Sequence, residues 1–456
     1  MKLLIKFLTP EYLTAFVFII SITLFISISL WRSNDIIHRI VLMFLIMCGS
    51  IILINGLFDI FPQKIDSIQD FIPTSLKIAD MIRSGITNIY VNFGNFLDDK
   101  IERVFVYTFW VGLIFVITKD SIPAGSFLSS IFGALTIYMI YHIAKDLFDS
   151  KTAKLTALLL ALSPFYIYMS CVIMRDTMVT FVITLFYRIW LLYDKAPERR
   201  YLWLMILTLF LVGLLRPPMM IVILSSILIF KLFFEKRENQ SLGTIIFTKY
   251  LKIVFVMFGI LILGAYFTGA INIKSIMESR LGSSIKYTQM ETINNKIEGN
   301  SGAGSFYYPV PKHDSIVSIL EYMPLLVVYF IASPFPWQIT KATQLAALAD
   351  SSVIWVICFL FFLEARSFAR RNKKWAIILF TYLILGICAS SIVQTNMGGS
   401  ERHRIMFTIF LLPFAAHKIL NWRRGKKREH ELRGRYLVRG SHRSVWKGGT
   451  IFGTGR

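Results

Sequence analysis

Long apolar runs separated by short polar clusters dominate the chain, and the length of those runs carries the first prediction. About 20 consecutive apolar residues cross a ~30 Å hydrocarbon layer as a helix, and a lipid-exposed backbone must pair all its polar groups internally. Such runs recur at roughly 12–31, 38–58, 123–143, 154–171, 177–193, 201–215, 218–234, 252–270, 345–364, 375–393 and 405–421. The pattern predicts an all-α polytopic membrane protein of about 11 transmembrane helices. One bundle occupies 1–421, and a basic cytoplasmic tail follows at 422–456.

Some apolar stretches do not fit as full spans. Residues 104–118, "VFVYTFWVGLIFVIT", are short for a crossing and are read as a helix on or dipping into the outer surface. Residues 316–332, followed by "SPFPWQ", are read as re-entrant or interfacial. The runs 201–215 and 218–234, split by "RPP", are short enough to be incomplete crossings. Two segments outside the membrane are long, about 59–122 and 271–344. In the first, Ile72, Leu76, Ile78, Ala79 and Ile82 recur at near-helical spacing among polar residues, which predicts an amphipathic helix at the interface. The second holds "NNKIEGNSGAGSFYYPVPKHD", whose Gly, Asn and Ser content predicts a loop.

Composition agrees with the run lengths. Of 456 residues 55% are hydrophobic and only 17% charged, where soluble domains carry about 25% charged residues. The net charge of +22 resides in short Lys/Arg clusters between apolar runs and in the tail. That is a topology signal and offers no face for nucleic acid. Placing "WRSNDIIHR", "AKDLFDSKTAK", "DKAPERR" and "ARSFARRNKK" inside puts the amino terminus outside and the carboxyl terminus in the cytoplasm. The tail is then a solvated basic segment attracted to anionic inner-leaflet lipid. The basic start "MKLLIKF" precedes an apolar core too long for a signal peptide, so it is read as a retained first helix. Four scattered cysteines show no pairing or metal spacing and are read as small core residues.

This topology gathers charge at the outer boundary. Asp59, Asp66 and Asp70 follow the second span; Arg175 and Asp176 stand between the fourth and fifth; Arg216 sits in "LLRPPMM"; Glu401, Arg402, His403 and Arg404 precede the last span in "NMGGSERHRIMF". Each has a plain explanation. Arg at a helix end snorkels to head-group phosphate, and Asp176 before Thr177 suits a helix cap. Arg216 resists it more, because Pro217 and Pro218 interrupt apolar sequence where a regular helix cannot continue. Arg402 and Arg404 lie beside Gly398 and Gly399, which let a ligand approach the backbone. Arg forks suit phosphate or pyrophosphate, and a carboxylate facing water suits a general base toward a hydroxyl. A lipid phosphate-linked sugar presents both needs at head-group height. No phosphate-cradling Gly-rich loop is present, and the seven His are dispersed.

The stretch 125–220 resembles the core of the multi-span C-type (GT-C) glycosyltransferases, the class of protein O-mannosyltransferases and lipid A aminoarabinose transferase. The likeness rests on a helix pair joined by a short basic turn, then "LSP", an outer acidic residue and "LLRP". It implies a polyprenyl-phosphate sugar donor, transfer on the extracytoplasmic side, and an aspartate in the first large outer loop. Asp66 in "DSIQDF" matches that aspartate best and Asp70 second, while Asp176 matches the second outer acidic position. The family usually has its loop acid after the first span, often in an Asp-Glu pair before Tyr. Here an additional helix comes first, and the neighbours are Ser67 and Phe71. "SPFPWQ" and "NMGGSERHRIMF" are more similar to uncharacterised surface-polysaccharide proteins, some labelled O-antigen polymerases.

The expected protein is therefore a glycosyltransferase of a bacterial inner membrane, acting in envelope polysaccharide or glycoconjugate assembly on a glycan, lipid or protein acceptor. Asp66, Asp70 and Asp176 are the expected catalytic acids; Arg175, Arg216, Arg402 and Arg404 are expected at the lipid phosphate. A divalent metal is compatible with this set, although no ligand spacing calls for one. The alternatives are a polymerase of lipid-linked repeat units and a lipid-linked sugar transporter. For the transporter, mid-membrane acids and an internal repeat are expected, and neither is clear in the sequence.

Overall fold

The computed structural model describes residues 9–31, 35–60, 67–85, 105–233, 316–339, 344–394 and 397–445. Among them are 14 α-helices and no strand. In chain order these are α1 (Pro10–Trp31), α2 (Ile36–Phe58), α3 (Ile72–Arg83), α4 (Phe105–Thr118), α5 (Ile122–Leu147), α6 (Ser150–Ala161) and α7 (Pro164–Ser170). There follow α8 (Asp176–Lys195), α9 (Arg199–Leu215), α10 (Pro217–Phe233), α11 (Ile316–Ala332), α12 (Gln344–Arg371), α13 (Lys373–Val393) and α14 (Met397–Val445). Seven are long and apolar enough to cross a membrane, and the α6–α7 pair makes an eighth candidate. The expected run 252–270 and the Gly-rich loop near 300 lie outside the described residues.

The run 154–171 is not one straight helix. Pro164 has no N–H to give and disfavours helical backbone at the residue before it; Ser163 is extended (φ −68°, ψ 118°), and the axes of α6 and α7 meet at 64°. After α7 the chain runs without helix through 171–175, yet Cys171, Val172, Ile173 and Met174 are all buried. Buried irregular backbone must find partners in protein. The Ser67 hydroxyl donates to the Ile173 carbonyl at 2.7 Å, Thr177 Oγ1 to Met174 O at 3.2 Å, and Ser130 Oγ to Ser170 O at 2.6 Å. Hydroxyls on α5 thus hold in place the segment that ends at Arg175 and Asp176.

Helices α9 and α10 have 17 residues each, about 25 Å at ~1.5 Å per residue, a little short of a ~30 Å layer. In the first long outer segment, a single π-helical turn over Ser67–Phe71 leads into α3, which buries Thr74, Ser75, Ile78 and Ala79. The expected amphipathic face packs on α4. Close approach is possible because α4 carries Gly112, where an added Cβ would stand 2.8 Å from Ile78 Cγ2.

At the core, α8 packs on α5, α13 and α14. Tyr187 meets Tyr382 (5.2 Å between ring centroids) and Phe410 (5.1 Å), and the Tyr382 hydroxyl donates to Met406 O at 3.2 Å. Gly386 of α13 lies against the Phe407 ring with no room for a side chain. Ion pairs close the opposite end of the bundle: Lys195–Asp146 at 2.8 Å, Arg371–Glu364 at 2.6 Å, Arg188–Asp146 and Lys374–Asp194. These partners come from the basic connections.

Helix α14 departs from expectation at both ends. It begins at Met397, so "GGSERHR" forms its first turns and is not a loop before it, and it continues as helix to Val445 through a segment expected as a solvated tail. The early start decides how the site is divided.

Candidate active site

Arg216 is the centre of the site. It caps α9 in an extended conformation (φ −155°, ψ 85°), with its backbone N–H donating to Val212 O at 2.7 Å, and the two prolines after it start a new helix. The break turns the side chain toward α8 and α14. Arg216 Nη1 donates to Asp176 Oδ1 at 2.9 Å and approaches Met406 Sδ at 3.6 Å, while Nη2 contacts His403 Nε2. Both partners of the ion pair are largely enclosed, with side-chain exposures of 12% and 5%. With Nε2 accepting from Arg216, the His403 ring proton belongs on Nδ1.

Two further guanidinium groups bear on this pair. Arg175, the residue before α8, donates through Nη1 to Leu215 O at 3.4 Å, beside Arg216. Arg402 is half-buried and acts on Arg216 as a like charge. Burial lowers the Arg216 guanidinium from 12.5 to about 10; Asp176 opposes that, and Arg175 and Arg402 add to it. The group is still protonated at neutral pH. Three cations therefore converge on one carboxylate, and such a site favours a further anion.

The remaining expected residues are distributed unevenly. Asp70 is exposed on the π-helical turn, which is fastened to the 171–175 segment through Ser67 and Ile173. Asp66 lies outside the described residues. Arg404 turns away from Arg216. It is 1% exposed and donates to Ser333 O (2.6 Å), Ile331 O (3.3 Å), Asp350 Oδ2 (3.1 Å) and Ser351 Oγ (3.2 Å). Four bonds to protein tie it to α11, α12 and the link between them. The cause is helical periodicity: residues 403 and 406 share one face of α14, and 401, 404 and 405 share another.

Sequence reasoning left His403 as a plain interface residue and did not consider Asp350. An isolated acid in "ALADSSVIW" at the head of an apolar run was the available signal for Asp350. Among the described residues, no group of three or more His, Cys, Asp or Glu is arranged to hold a metal ion.

Residues 103–275 match the family model described as dolichyl-phosphate-mannose-protein mannosyltransferase. The GT-C resemblance holds over this region. The match supports a membrane glycosyltransferase of the mannosyltransferase kind. It contains α4 to α10, and with them Arg175, Asp176 and Arg216; Asp66, Asp70, Arg402 and Arg404 fall outside it. A comparison with curated proteins finds no match.

Proposed function

We propose that the protein transfers a sugar from a polyprenyl-phosphate donor to an envelope glycan, lipid or protein acceptor on the extracytoplasmic face of a bacterial inner membrane. The observation that carries this reading is the enclosed Arg216, held by Asp176 and His403 with Arg175 and Arg402 beside it. In this reading the donor phosphate lies among Arg175, Arg216 and Arg402. Its bond to the anomeric carbon breaks as the acceptor hydroxyl oxygen bonds to that carbon, and the lipid phosphate leaves with the electron pair. The guanidinium groups stabilise the departing charge.

The acceptor proton goes to a carboxylate in the outer segment, Asp66 or Asp70. Asp176, already paired with Arg216, holds the guanidinium in position and is not the base. The test is incubation of the purified protein with labelled polyprenyl-phosphate sugars, followed by mass analysis of lipid and acceptor. One sugar added per lipid phosphate released supports the proposal. A ladder of repeats would mark polymerisation of lipid-linked units, and intact donor under all sugars tried would overturn transfer.

A further inference from the structure

A narrow groove of ≈ 280 Å³ lies between α6–α7, α12 and α14, on the face of α14 turned away from Arg216. Its lining along α14 runs from Arg404 to Ile419, about 22 Å at ~1.5 Å per residue. The long walls are apolar, with Leu159, Ile357 and Leu412 among them. Val353 and Val356 on the rim are 53% and 57% exposed, so the groove opens sideways, where lipid would lie. A slot of this shape fits a single hydrocarbon chain better than a sugar.

Polar groups gather at one end: Asp350, Glu401, Arg404 and Ser163. Arg404 and Asp350 pair at 3.1 Å, and Glu401, 8% exposed, adds a second carboxylate. The end is thus net acidic, whereas the Arg216 cluster is net basic. Arg404 Nε, fully buried, has no hydrogen-bond partner among the described residues. A donor with no partner costs about 1–3 kcal/mol when buried, so a ligand acceptor there has a place to bind.

We infer that this groove holds one acyl chain of a phospholipid whose head carries an ammonium group. The ammonium lies against Glu401 and a phosphate oxygen accepts from Arg404 Nε. A phosphate without an ammonium would face two carboxylates for one guanidinium. The groove is therefore a second lipid site, separate from that of the donor, and it does not depend on the reaction proposed above.

The full-length protein in a neutral detergent is titrated with phosphatidylethanolamine, phosphatidylglycerol or decaprenyl phosphate, and retained lipid is counted by native mass spectrometry. Phosphatidylethanolamine is expected to be retained about tenfold better than phosphatidylglycerol, as one charge-assisted contact implies. Glu401→Gln should erase that preference. Val356→Trp, on the exposed rim where folding is undisturbed, should reduce phosphatidylethanolamine retention without removing decaprenyl phosphate binding. Equal retention of the two phospholipids, wild-type retention by Val356→Trp, or displacement of phosphatidylethanolamine by decaprenyl phosphate would each overturn the inference. Because the readout is lipid retention, failure of sugar transfer leaves the result unaffected.

Discussion

Asp176 and Arg216 are forty residues apart in sequence, and their side chains meet at 2.9 Å where α8, the α9–α10 joint and α14 come together. Enclosed ion pairs are poor sources of stability, because desolvation offsets much of their attraction. Removing one partner, however, strands the other. Asp176→Leu alone is expected to cost about 3–5 kcal/mol, whereas Asp176→Leu with Arg216→Met should recover most of it. Thermal unfolding in detergent measures both. Sugar transfer should stay lost in the double variant, which separates a functional pair from a structural one.

Arg216→Lys keeps the charge and loses the fork that reaches Asp176 and His403 together. Transfer is expected to fall by about 10²–10³, the range for removing one donor to a developing anion, with membrane abundance unchanged. A fall of less than tenfold in kcat/KM would remove Arg216 from the centre of the site.

Asp66→Asn and Asp70→Asn separate the two outer carboxylates. The one acting as base should lose transfer by about 10²–10⁴ when neutralised, while donor binding, followed by retention of labelled lipid, stays intact. If both variants keep transfer, the proton acceptor lies elsewhere.

Arg402 and Arg404, two residues apart, should behave differently. Arg404→Met strands Asp350 and frees the Ser333 and Ile331 carbonyls, so it should lower unfolding temperature and abundance by the equivalent of about 3–5 kcal/mol. Arg402→Gln, on a half-buried side chain, should raise the KM for donor with little change in unfolding.

Gly386→Ala is expected to push α13 off the Phe407 ring and cost about 1–3 kcal/mol. Phe407→Leu in the same chain should relieve part of that, as a melting curve would record.

Much of the fold was legible from run length alone, since a span needs only enough apolar residues. The spans at 12–31, 38–58, 123–143 and 177–193 appear as α1, α2, α5 and α8 to within a few residues. The "RPP" break at Arg216 was legible too, because proline chemistry is local. What the sequence concealed were phase and partnership. "NMGGSERHR" contains two glycines and five polar or charged residues and reads as a loop, but tertiary packing makes it helix from Met397. Only then does helical phase send His403 and Arg404 in opposite directions. Arg404's partner, Asp350, lies fifty-four residues away, and no local pattern in the sequence joins them.

The adjacency of His403 and Arg404 has a mechanical consequence. One residue grips Arg216 on one side of α14, and its neighbour is bolted to α11 and α12 on the other. A twist or slide of that helix cannot loosen one attachment while sparing the next. Whatever pulls on the basic cluster is therefore felt at once in the wall of the apolar slot, and the first turns of α14 serve as a stiff axle between two compartments.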